Sequence, residues 1–246
     1  MDSLAAPNIP AKARASVQTL DRAVAILEAL ARTGPGTLAD LVRETGLPRP
    51  TAHRLAVALE EHALVVRDRA GRFRLGGRLV GWGAAAGAGL ALVEPARAVL
   101  ERLSAETGES AQLYVREGDQ RVCVATHERP TGLRDTVAIG AMMPLTKGSG
   151  GRVLLAWAGD RDRFDVDARV LAAVRTAGWA ATVGEREPGV ASVSAPVRVG
   201  GEVVAAISVS GPAERLGPDP GSRFADPVVA AAADLARARG APVTAP

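Results

Sequence analysis

The sequence predicts an α+β protein with an N-terminal winged helix-turn-helix and a C-terminal domain in which helices pack on an antiparallel sheet. Residues 37–59 carry two short apolar stripes at helical spacing, with a glycine and a proline between them. Arginine-rich residues with strand-like alternation follow over 65–75. Beyond residue 93, strand-like runs meet at short turns more often than across helices, which favours antiparallel pairing.

The chain begins with a segment that the sequence predicts to be a flexible arm, residues 1–15, which contains two prolines and two basic residues. A first helix is expected from Ser16, because apolar residues recur at helical spacing until a Thr-Gly-Pro-Gly break at 33–36. At the other end, residues 241–246 are expected to form a flexible tail.

Two short helices across a tight turn are predicted next. Thr37 is suited to cap the first of them, and Gly46 can adopt the left-handed conformation that ends it. Pro50 fits the first turn of the second helix, where no N–H is needed. A recognition helix presents that N-terminal end to base edges in the major groove. The candidate DNA-binding residues of this helix are Arg49, Pro50, Thr51, His53 and Arg54.

A hairpin with strands at Val65–Arg67 and Arg72–Leu75 is expected to form the wing. Residues 46–78 hold seven arginines and three acidic residues, a net charge of +4, whereas the whole chain carries +3. Helix-turn-helix geometry also occurs as ordinary packing in α proteins, but this local charge favours double-stranded DNA as a partner. We therefore expect residues 16–77 to form a winged helix-turn-helix DNA-binding domain. The candidate DNA-binding residues of the wing are Arg67, Arg69, Arg72 and Arg74.

Composition restricts the class of protein. A hydrophobic content of 47% in 246 residues is typical of a globular protein with two domains. The single cysteine, Cys123, excludes an internal disulfide and fits a reducing cytoplasm, and no signal segment is recognisable. The longest uncharged stretch, Leu79–Val93, falls short of the ~20 strongly apolar residues that a membrane span needs. We therefore expect a cytoplasmic protein without a membrane partner.

The second half of the chain is predicted to contain a linker helix over 78–92 and a domain of mixed type over 93–240. Alternating residues predict strands at 110–116, 121–127, 133–139, 191–198 and 202–210. Apolar residues at helical spacing predict helices around 96–107, after 148–151, near 166–176 and over 223–239.

Residues suited to catalysis are few. Two of the three histidines belong to the predicted DNA-binding segment. Cys123 and His127 lie four apart in a predicted strand, so their side chains are expected to share a face, although a merely buried cysteine is more common. No set of histidines, cysteines and carboxylates has metal-ligand spacing, and Lys147 precedes the glycines at 148–151 instead of following them. We expect no enzyme activity, no catalytic residue, no cofactor and no metal.

A ligand pocket is better supported by the pattern of serines. On each of two neighbouring predicted strands, two serines lie two residues apart, so the hydroxyls of each pair project to one side. Buried hydroxyls need partners, which a small carboxylate could supply. The glycine-rich turn at 148–151 begins a helix whose free N–H groups favour an anion, and two methionines precede it. Alternatively, the serines bond to backbone or water and the methionines are core. The residues concerned are Met142, Met143, Ser192, Ser194, Ser208 and Ser210.

The chain resembles the IclR family of bacterial transcription regulators over residues 17–240. The N-terminal part matches through SVQTLDRAVAILEAL and GLPRPTAHRL. The C-terminal part matches through GAMMPLTKGSGGRVLLAW, EPGVASVSAPV and VVAAISVSGP. Three stretches, ESAQLYVREGDQRVCVA, GLRDTV and GEREPGVASVSAPV, look closer still to the actinobacterial NdgR-type regulators of leucine and other amino-acid biosynthesis.

The resemblance implies a homodimer or a dimer of dimers, and a GAF-like effector domain with a curved antiparallel sheet. The effector would be a small metabolite, an amino acid or organic acid. The chain departs from the family at Thr146, where histidine is common, and at Gly150-Gly151-Arg152, where a small residue, glycine and lysine are usual. An acidic family ligand residue aligns near Thr182–Glu187, without a secure match. Family ligand contacts fall on Met143, Ser149, Gly150, Ser192, Ser208 and Ser210.

These observations predict a ligand-responsive repressor or activator that controls genes of amino-acid metabolism. A dimer is expected to bind a palindrome whose half-sites lie one helical turn, ~34 Å, apart. Effector binding would change the spacing of the two DNA-binding domains through residues 78–92. The alternatives are control of a catabolic pathway for small organic or aromatic acids, and redox sensing through Cys123. A dimerisation platform without a working pocket and an esterase-like or thiol enzyme are less favoured.

Overall fold

The computed structural model describes residues 18–89 and 91–240, which form two compact units that divide at Gly89. The predicted arm, the predicted helix start at Ser16 and the predicted tail at 241–246 lie outside these residues. Each unit has its own buried apolar core.

The first unit consists of helices and one two-stranded antiparallel hairpin. Its elements are α1 (Gln18–Thr33), α2 (Leu38–Thr45), α3 (Arg49–Glu61), β1 (Val65–Arg67), β2 (Phe73–Leu75) and α4 (Arg78–Gly89). One apolar cluster joins the first three helices to both strands, so the position of α3 is fixed by packing on all of them. Its buried members are Ile26, Leu30, Leu41, Leu55, Ala56, Leu59, Val65 and Phe73.

The ends of α2 form as the sequence predicts. Thr37 Oγ1 accepts the N–H of Asp40 at 3.3 Å, and Asp40 Oδ2 accepts the N–H of Thr37 at 2.9 Å. This capping box satisfies N–H groups that the first helical turn leaves without partners. Gly46 ends the helix in the left-handed conformation, with φ 67°. Local sequence therefore determines where α2 stops and where the turn into α3 begins.

The second unit is built on a curled six-stranded sheet in which all pairings are antiparallel, as the predicted hairpins indicate. The strand order is β5-β4-β3-β8-β7-β6. The strands are β3 (Ser110–Glu117), β4 (Gln120–His127), β5 (Met142–Pro144), β6 (Ala180–Val183), β7 (Val190–Val199) and β8 (Glu202–Pro212).

Helices cover both faces of this sheet. The helices are α5 (Val93–Thr107), α6 (Ser149–Ala156), α7 (Ala168–Ala177), α8 (Ala213–Leu216) and α9 (Gly221–Gly240). Leu113 of β3 packs with α5 and α9, whereas its neighbour Tyr114 packs with α6 and α7. Since neighbouring residues of a strand point to opposite faces, the two helix pairs lie on opposite sides of the sheet. The predicted α+β class is confirmed.

The strand predicted at 133–139 is wrong. Asp135 and Val137 are buried between exposed neighbours, but Leu133 and Ile139, which would lie on the same face of a strand, are largely exposed, and no strand pairs with the segment. The free edge of β4 is occupied by β5 instead. The short strands β5 and β6 are absent from the sequence prediction, because runs of three or four residues give too little alternation to recognise.

Cys123 and His127 do not share a face, contrary to the prediction from their spacing. On β3 the neighbours Leu113 and Tyr114 pair with Ala125 and Cys123, so Val124 is an extra residue on β4. Such a bulge reverses which residues face each side of the sheet beyond it. Cys123 accordingly belongs to the core beneath α6 and Ala125 to the core beneath α5.

Several element boundaries also differ from the prediction, and the helix expected after 148–151 already begins at Ser149. Helix α4 ends at Gly89 and α5 begins at Val93, so the helix predicted over 78–92 is shorter. Strand β2 begins at Phe73 and not at Arg72, because the N–H of Arg72 donates to Asp68 Oδ1 at 2.9 Å within the turn.

Candidate functional site

The first candidate site is the N-terminal end of α3. One side of the helix is buried against the core of the first unit, through Ala52, Leu55, Ala56 and Leu59. The other side turns the predicted contact residues toward solvent. Four of them are exposed and Thr51 is half-buried; the exposed ones are Arg49, Pro50, His53 and Arg54. The helix end therefore has the free polar surface that base readout requires.

The hairpin β1–β2 adds further positive charge to the same unit. All four predicted wing residues are exposed: Arg67, Arg69, Arg72 and Arg74. Two of these are partly neutralised, because Arg67 Nε lies 3.2 Å from Glu60 and Arg72 Nη2 lies 2.8 Å from Asp68. Among the described residues, no carboxylate pairs with the guanidinium groups of Arg49, Arg54, Arg69 or Arg74.

The tip of the hairpin is held by Asp68. Its Oδ1 accepts the N–H groups of Ala70 and Arg72, both at 2.9 Å. The pKa of the Asp68 carboxyl is lowered, mainly because the carboxylate accepts the hydrogen bond from the Arg72 N–H. Since the carboxylate stays ionised and bonded at neutral pH, the turn keeps Arg69 at the outer end of the hairpin.

The second candidate site is a small cavity between α6 and the sheet of the second unit. Its volume is about 10 Å³, which is room for about one water molecule. Five of the six predicted effector contacts line it, and Met143 does not. The lining residues are Gln112, Tyr114, Arg121, Gly148, Ser149, Gly150, Arg186, Ser192, Ser208 and Ser210.

The predicted serines form one chain of hydroxyl groups. Strand register places Ser192 opposite Ser210 and Ser194 opposite Ser208. Ser149 Oγ, at the start of α6, lies 2.7 Å from Oγ of Ser192 and 2.7 Å from Oγ of Ser194. Ser194 also bonds to Ser208. The hydroxyls of this chain therefore find partners in one another, which avoids the cost of burying them unpaired.

A buried acid and an arginine that the sequence analysis missed adjoin this chain. Asp135 Oδ2 accepts the hydroxyl of Ser210 at 2.6 Å, and its Oδ1 accepts from Arg186 Nη2 at 2.6 Å. Ser210 also lies 3.0 Å from Gln112 Oε1. Asp135 comes from the irregular segment 133–139, so its position depends on a loop whose path strand patterns do not predict.

Arg121 is the second arginine that the sequence analysis missed. Its side chain is buried, and Nη1 donates to the carbonyl oxygens of Pro144 and Lys147, both at 2.6 Å. The guanidinium carbon lies 5.4 Å from the centre of the Tyr114 ring. Burial lowers the pKa of Arg121, because removal from water disfavours the charged form.

The glycine turn before α6 is required by close packing. A methyl group on Gly150 would lie 3.2 Å from Tyr114 Cδ2, and one on Gly151 would overlap the carbonyl oxygen of Leu145. Gly148 has φ 79°, which side chains rarely adopt. These glycines let the start of α6 approach the sheet and close the cavity.

Met143 and the segment 182–187 take positions that the prediction left open. Met143 Sδ lies 3.6 Å from Arg121 Nη2, so this side chain packs against the guanidinium outside the cavity lining. Thr182 Oγ1 accepts the N–H of Ser149 at 3.1 Å and lies 3.1 Å from Ser192 Oγ. A hydroxyl thus adjoins the serine chain from this segment, and the Asp135 carboxylate lies behind the cavity wall, bonded to the lining residues Ser210 and Arg186.

Cys123 has the properties of an inert core residue. It is completely buried, and burial raises the pKa of its thiol to about 12. Because the thiolate is the reactive form, the thiol is protected from oxidants at neutral pH. This argues against redox sensing through Cys123 and against thiol chemistry with His127.

The thiol is expected to be unreactive in the folded protein. At pH 8, Ellman's reagent should leave the native chain unmodified, whereas the chain unfolded in guanidinium chloride should release one equivalent of chromophore per chain. Rapid stoichiometric reaction of the native protein would show that the core beneath α6 opens readily and would revive the redox alternative.

Neither a metal site nor a membrane span occurs in the part of the chain that the structure describes. There, no group of three or more histidine, cysteine and acidic residues could hold a metal ion. No helix within 18–89 or 91–240 is long and apolar enough to cross a membrane.

Family models match both parts of the chain. The model of the IclR helix-turn-helix domain matches residues 19–69, and that of the C-terminal domain of the bacterial transcriptional regulator IclR matches 85–166 and 168–237. The glycerol operon regulatory protein of Streptomyces griseus is 34% identical in an alignment 255 residues long, which covers 92% of this chain and 98% of the relative.

Solved structures give the same result. A transcriptional regulator from Rhodococcus sp. RHA1 matches with a TM-score of 0.72 and 30% identity, over 92% of this chain and 99% of that one. An IclR homologue from Microbacterium hydrocarbonoxydans, complexed with 4-hydroxybenzoate, matches with a TM-score of 0.72 and 26% identity, over 89% and 99%. The two-unit α+β architecture described above is thus that of known IclR structures.

Proposed function

Because the chain belongs to the IclR family of bacterial transcriptional regulators, we propose that it binds a palindromic operator through α3 and the β1–β2 hairpin, and responds to a small organic acid in the cavity beneath α6. The observation that supports this best is that exposed guanidinium groups of the first unit have no carboxylate partner within residues 18–89 and 91–240. Guanidinium groups free of ion pairs can bind phosphates and guanine edges without first losing a partner.

Base contacts are assigned to α3 and backbone contacts to the hairpin. The first turn of α3 would enter the major groove, where bidentate contacts of arginine with guanine distinguish base pairs. The hairpin arginines would hold phosphates or reach into the minor groove. The proposed DNA-binding residues are Arg49, Pro50, Thr51, His53, Arg54, Arg67, Arg69, Arg72 and Arg74.

A homodimer, or a dimer of dimers, is proposed as the DNA-binding form. Large apolar side chains of α1 and α4 are exposed within the first unit, and they are Leu20, Val24, Val80 and Trp82. A second copy that covers them would remove apolar surface from water and would supply the second half-site reader.

The regulated pathway is proposed to be catabolic. One relative carries the name of a glycerol operon regulator, and a solved homologue is complexed with 4-hydroxybenzoate. Both names connect these proteins with small carbon compounds. The relatives give no support to control of leucine or other amino-acid biosynthesis, which stays a prediction from sequence resemblance. We place the protein in the cytoplasm, where its DNA partner is found, and assign it no enzyme activity.

Effector binding is assigned to Ser149, Gly150, Ser192, Ser208 and Ser210, with Met143 as an outer wall. A ligand in contact with this chain of hydroxyls would replace hydrogen bonds that the side chains now make with one another. The ligand can change the affinity for DNA only if it binds one arrangement of the protein, DNA-binding or released, more tightly than the other. The size of the change is set by that difference in affinity.

The wing arginines are expected to differ in their contribution to salt dependence. Arg69→Ala should lower the slope of log affinity against log salt by about one unit per subunit, and so by about two units for a dimer, if each Arg69 neutralises one phosphate. Arg72→Ala should change the slope less, because Asp68 already neutralises part of this charge. The slopes are measured by fluorescence anisotropy on one operator. Equal slopes for both variants and the wild type would show that the wing arginines do not contact DNA phosphates.

The proposed function is tested by mapping the DNA sites that the protein occupies in its own genome. Palindromic sites beside catabolic genes are the expected result, and the neighbouring enzymes would indicate which acids to add in anisotropy assays. Sites beside amino-acid biosynthetic genes would instead favour control of amino-acid metabolism. Absence of sequence-specific sites would contradict the operator-binding proposal.

A further inference from the structure

The thioether of Met143 lies between two arginine side chains. Met143 belongs to the edge strand β5, and its Sδ lies 3.6 Å from Arg121 Nη2 and 4.0 Å from Arg186 Nη1. Arg121 comes from β4, whereas Arg186 comes from the turn between β6 and β7. One sulfur atom therefore contacts guanidinium groups from two parts of the second unit that are distant in sequence.

The two guanidinium nitrogens that face this sulfur have no stronger acceptor. Within the described residues, Met143 Sδ is the one hydrogen-bond acceptor of Arg121 Nη2 and of Arg186 Nη1, while Nε of the buried Arg121 has none. A thioether sulfur is a weak acceptor, and charged donors removed from water need strong ones. An oxygen atom between the two arginines would therefore be bound better than the sulfur is.

Met143 is also more open to small oxidants than the cysteine of this region. The Met143 side chain is half-buried, and its neighbour Met142 is 51% exposed. Cys123 is completely buried, and the raised pKa of its thiol keeps it in the unreactive form. The sulfur chemistry available to this part of the folded protein is therefore that of methionine.

We propose that Met143 is an oxidation site, at which a peroxide converts the thioether to a sulfoxide whose oxygen is then bound by Arg121 and Arg186. In this step the sulfur attacks one peroxide oxygen, so that a sulfur–oxygen bond forms and the oxygen–oxygen bond breaks. The sulfur loses two electrons and the peroxide gains them. With hydrogen peroxide, the proton of the transferred hydroxyl passes to the leaving hydroxide, which departs as water.

The sulfoxide of Met143 is expected to stabilise the second unit. Oxidation of methionine usually disrupts a core, because it makes an apolar side chain polar. Here the new oxygen meets two charged donors, and hydrogen bonds that involve a charged group contribute more than neutral ones. The sulfoxide would thus tie β5 to β4 and to the turn before β7. Since sulfoxide reductases restore the thioether, the change would be reversible.

The oxidation site is tested by tandem mass spectrometry of the full-length protein after treatment with hydrogen peroxide at neutral pH. The chain has three methionines and one cysteine, so each sulfur can be followed separately. A sulfoxide is expected at Met143 and at the exposed Met142, while Cys123 stays a thiol. An unmodified Met143 in protein whose Met142 is fully converted would overturn the proposal.

Two single variants separate the effects of the neighbouring methionines on thermal unfolding. In Met142→Leu, Met143 is the remaining methionine of β5, and in Met143→Leu it is Met142. Peroxide should raise the unfolding temperature of Met142→Leu by about 2 °C or more. It should leave that of Met143→Leu unchanged, because Met142 is largely exposed. An unchanged or lower unfolding temperature for oxidised Met142→Leu would contradict binding of the sulfoxide by the arginines.

Glutamine at position 143 tests the arginine contacts without an oxidant. Its amide oxygen is an acceptor on a side chain of similar length, whereas leucine has no acceptor. Met143→Gln should therefore unfold at a higher temperature than Met143→Leu, the reverse of the usual order at a half-buried position. At the exposed position 142, the matched glutamine variant should have no advantage over leucine. A Met143→Leu variant at least as stable as Met143→Gln would show that the guanidinium groups do not bind an oxygen there.

Substitution of the arginines assigns the effect to the two donors. Arg121→Gln and Arg186→Gln, each combined with Met142→Leu, should reduce the rise that peroxide causes. Each variant is compared with itself before and after peroxide, so a loss of stability from the substitution cancels. Arg116→Gln is the matched control, because Arg116 lies on β3 and pairs with Asp160 instead. A full rise in both test variants would exclude the two arginines. These readouts need neither operator nor effector, so they are independent of the proposed function.

Discussion

Replacement of Arg54 by alanine is expected to cause the largest loss of operator binding among single substitutions. Arg54 is exposed on the first turns of α3 and has no ion pair among the described residues. A bidentate contact of arginine with guanine contributes about 1–3 kcal/mol of discrimination, and a dimer makes the contact twice. We therefore expect a loss of roughly 30-fold or more in affinity, measured by fluorescence anisotropy at fixed salt.

The control for this variant is Arg169→Ala. Arg169 is exposed on α7 of the second unit and also lacks an ion pair among the described residues, so both variants remove one charge. Arg169→Ala should bind the operator like the wild type. Arg54→Ala should also bind unrelated DNA nearly as well as the wild type does, because base contacts give specificity. Equal operator affinity of the two variants would place Arg54 outside the interface.

Gly151→Ala is expected to cause the largest loss of stability near the cavity. The added methyl group would overlap the carbonyl oxygen of Leu145, and backbone cannot move aside as a flexible side chain can. Alanine in a helix gains about 1 kcal/mol over glycine, but overpacking against backbone costs more. A net destabilisation of about 2 kcal/mol or more is the expected result.

The measurement is urea unfolding followed by tryptophan fluorescence. Trp157 and Trp179 lie in the second unit, so a Trp82→Phe background removes the tryptophan of the first unit. Gly159→Ala is the matched control, because a methyl group there meets open space and its φ is not in the left-handed region. Its stability should stay within about 0.5 kcal/mol of the parent. Equal stability of the two variants would contradict the close packing described for α6.

The winged helix-turn-helix could be predicted from the sequence because its determinants are local. The caps of α2, the proline near the start of α3 and the alternation of the hairpin each depend on residues only a few positions apart. Neighbouring apolar residues then decide which side of α3 is buried. The exposed positions of Arg49 and Arg54 follow from the same spacing.

The cavity could be predicted only in part. Residues two apart on a strand share a face, so the serine pairs indicated a polar surface, and the structure brings both pairs to α6. Arg121, Asp135 and Arg186 come from distant segments, and no local pattern shows that they meet. Asp135 was also hidden by the strand predicted at 133–139, which lacks a free sheet edge to pair with.

Spacing alone was misleading at Cys123 and His127. The argument that residues four apart share a face holds only in a regular strand, and the extra residue Val124 reverses it. Bulges depend on the fit between two strands and the layers that cover them, so a single strand's sequence does not reveal them.

Site-specific crosslinking to operator DNA shows whether the N-terminal end of α3 lies in the major groove. A photoactivatable group is attached to His53→Cys on α3, or to Thr176→Cys on α7 as the control, since the buried Cys123 should not be labelled. Crosslinks are expected from position 53 to major-groove bases in two half-sites about 34 Å apart, and none from position 176. Operator-bound protein that yields no crosslink from position 53, or yields them from position 176 instead, would contradict this placement of α3.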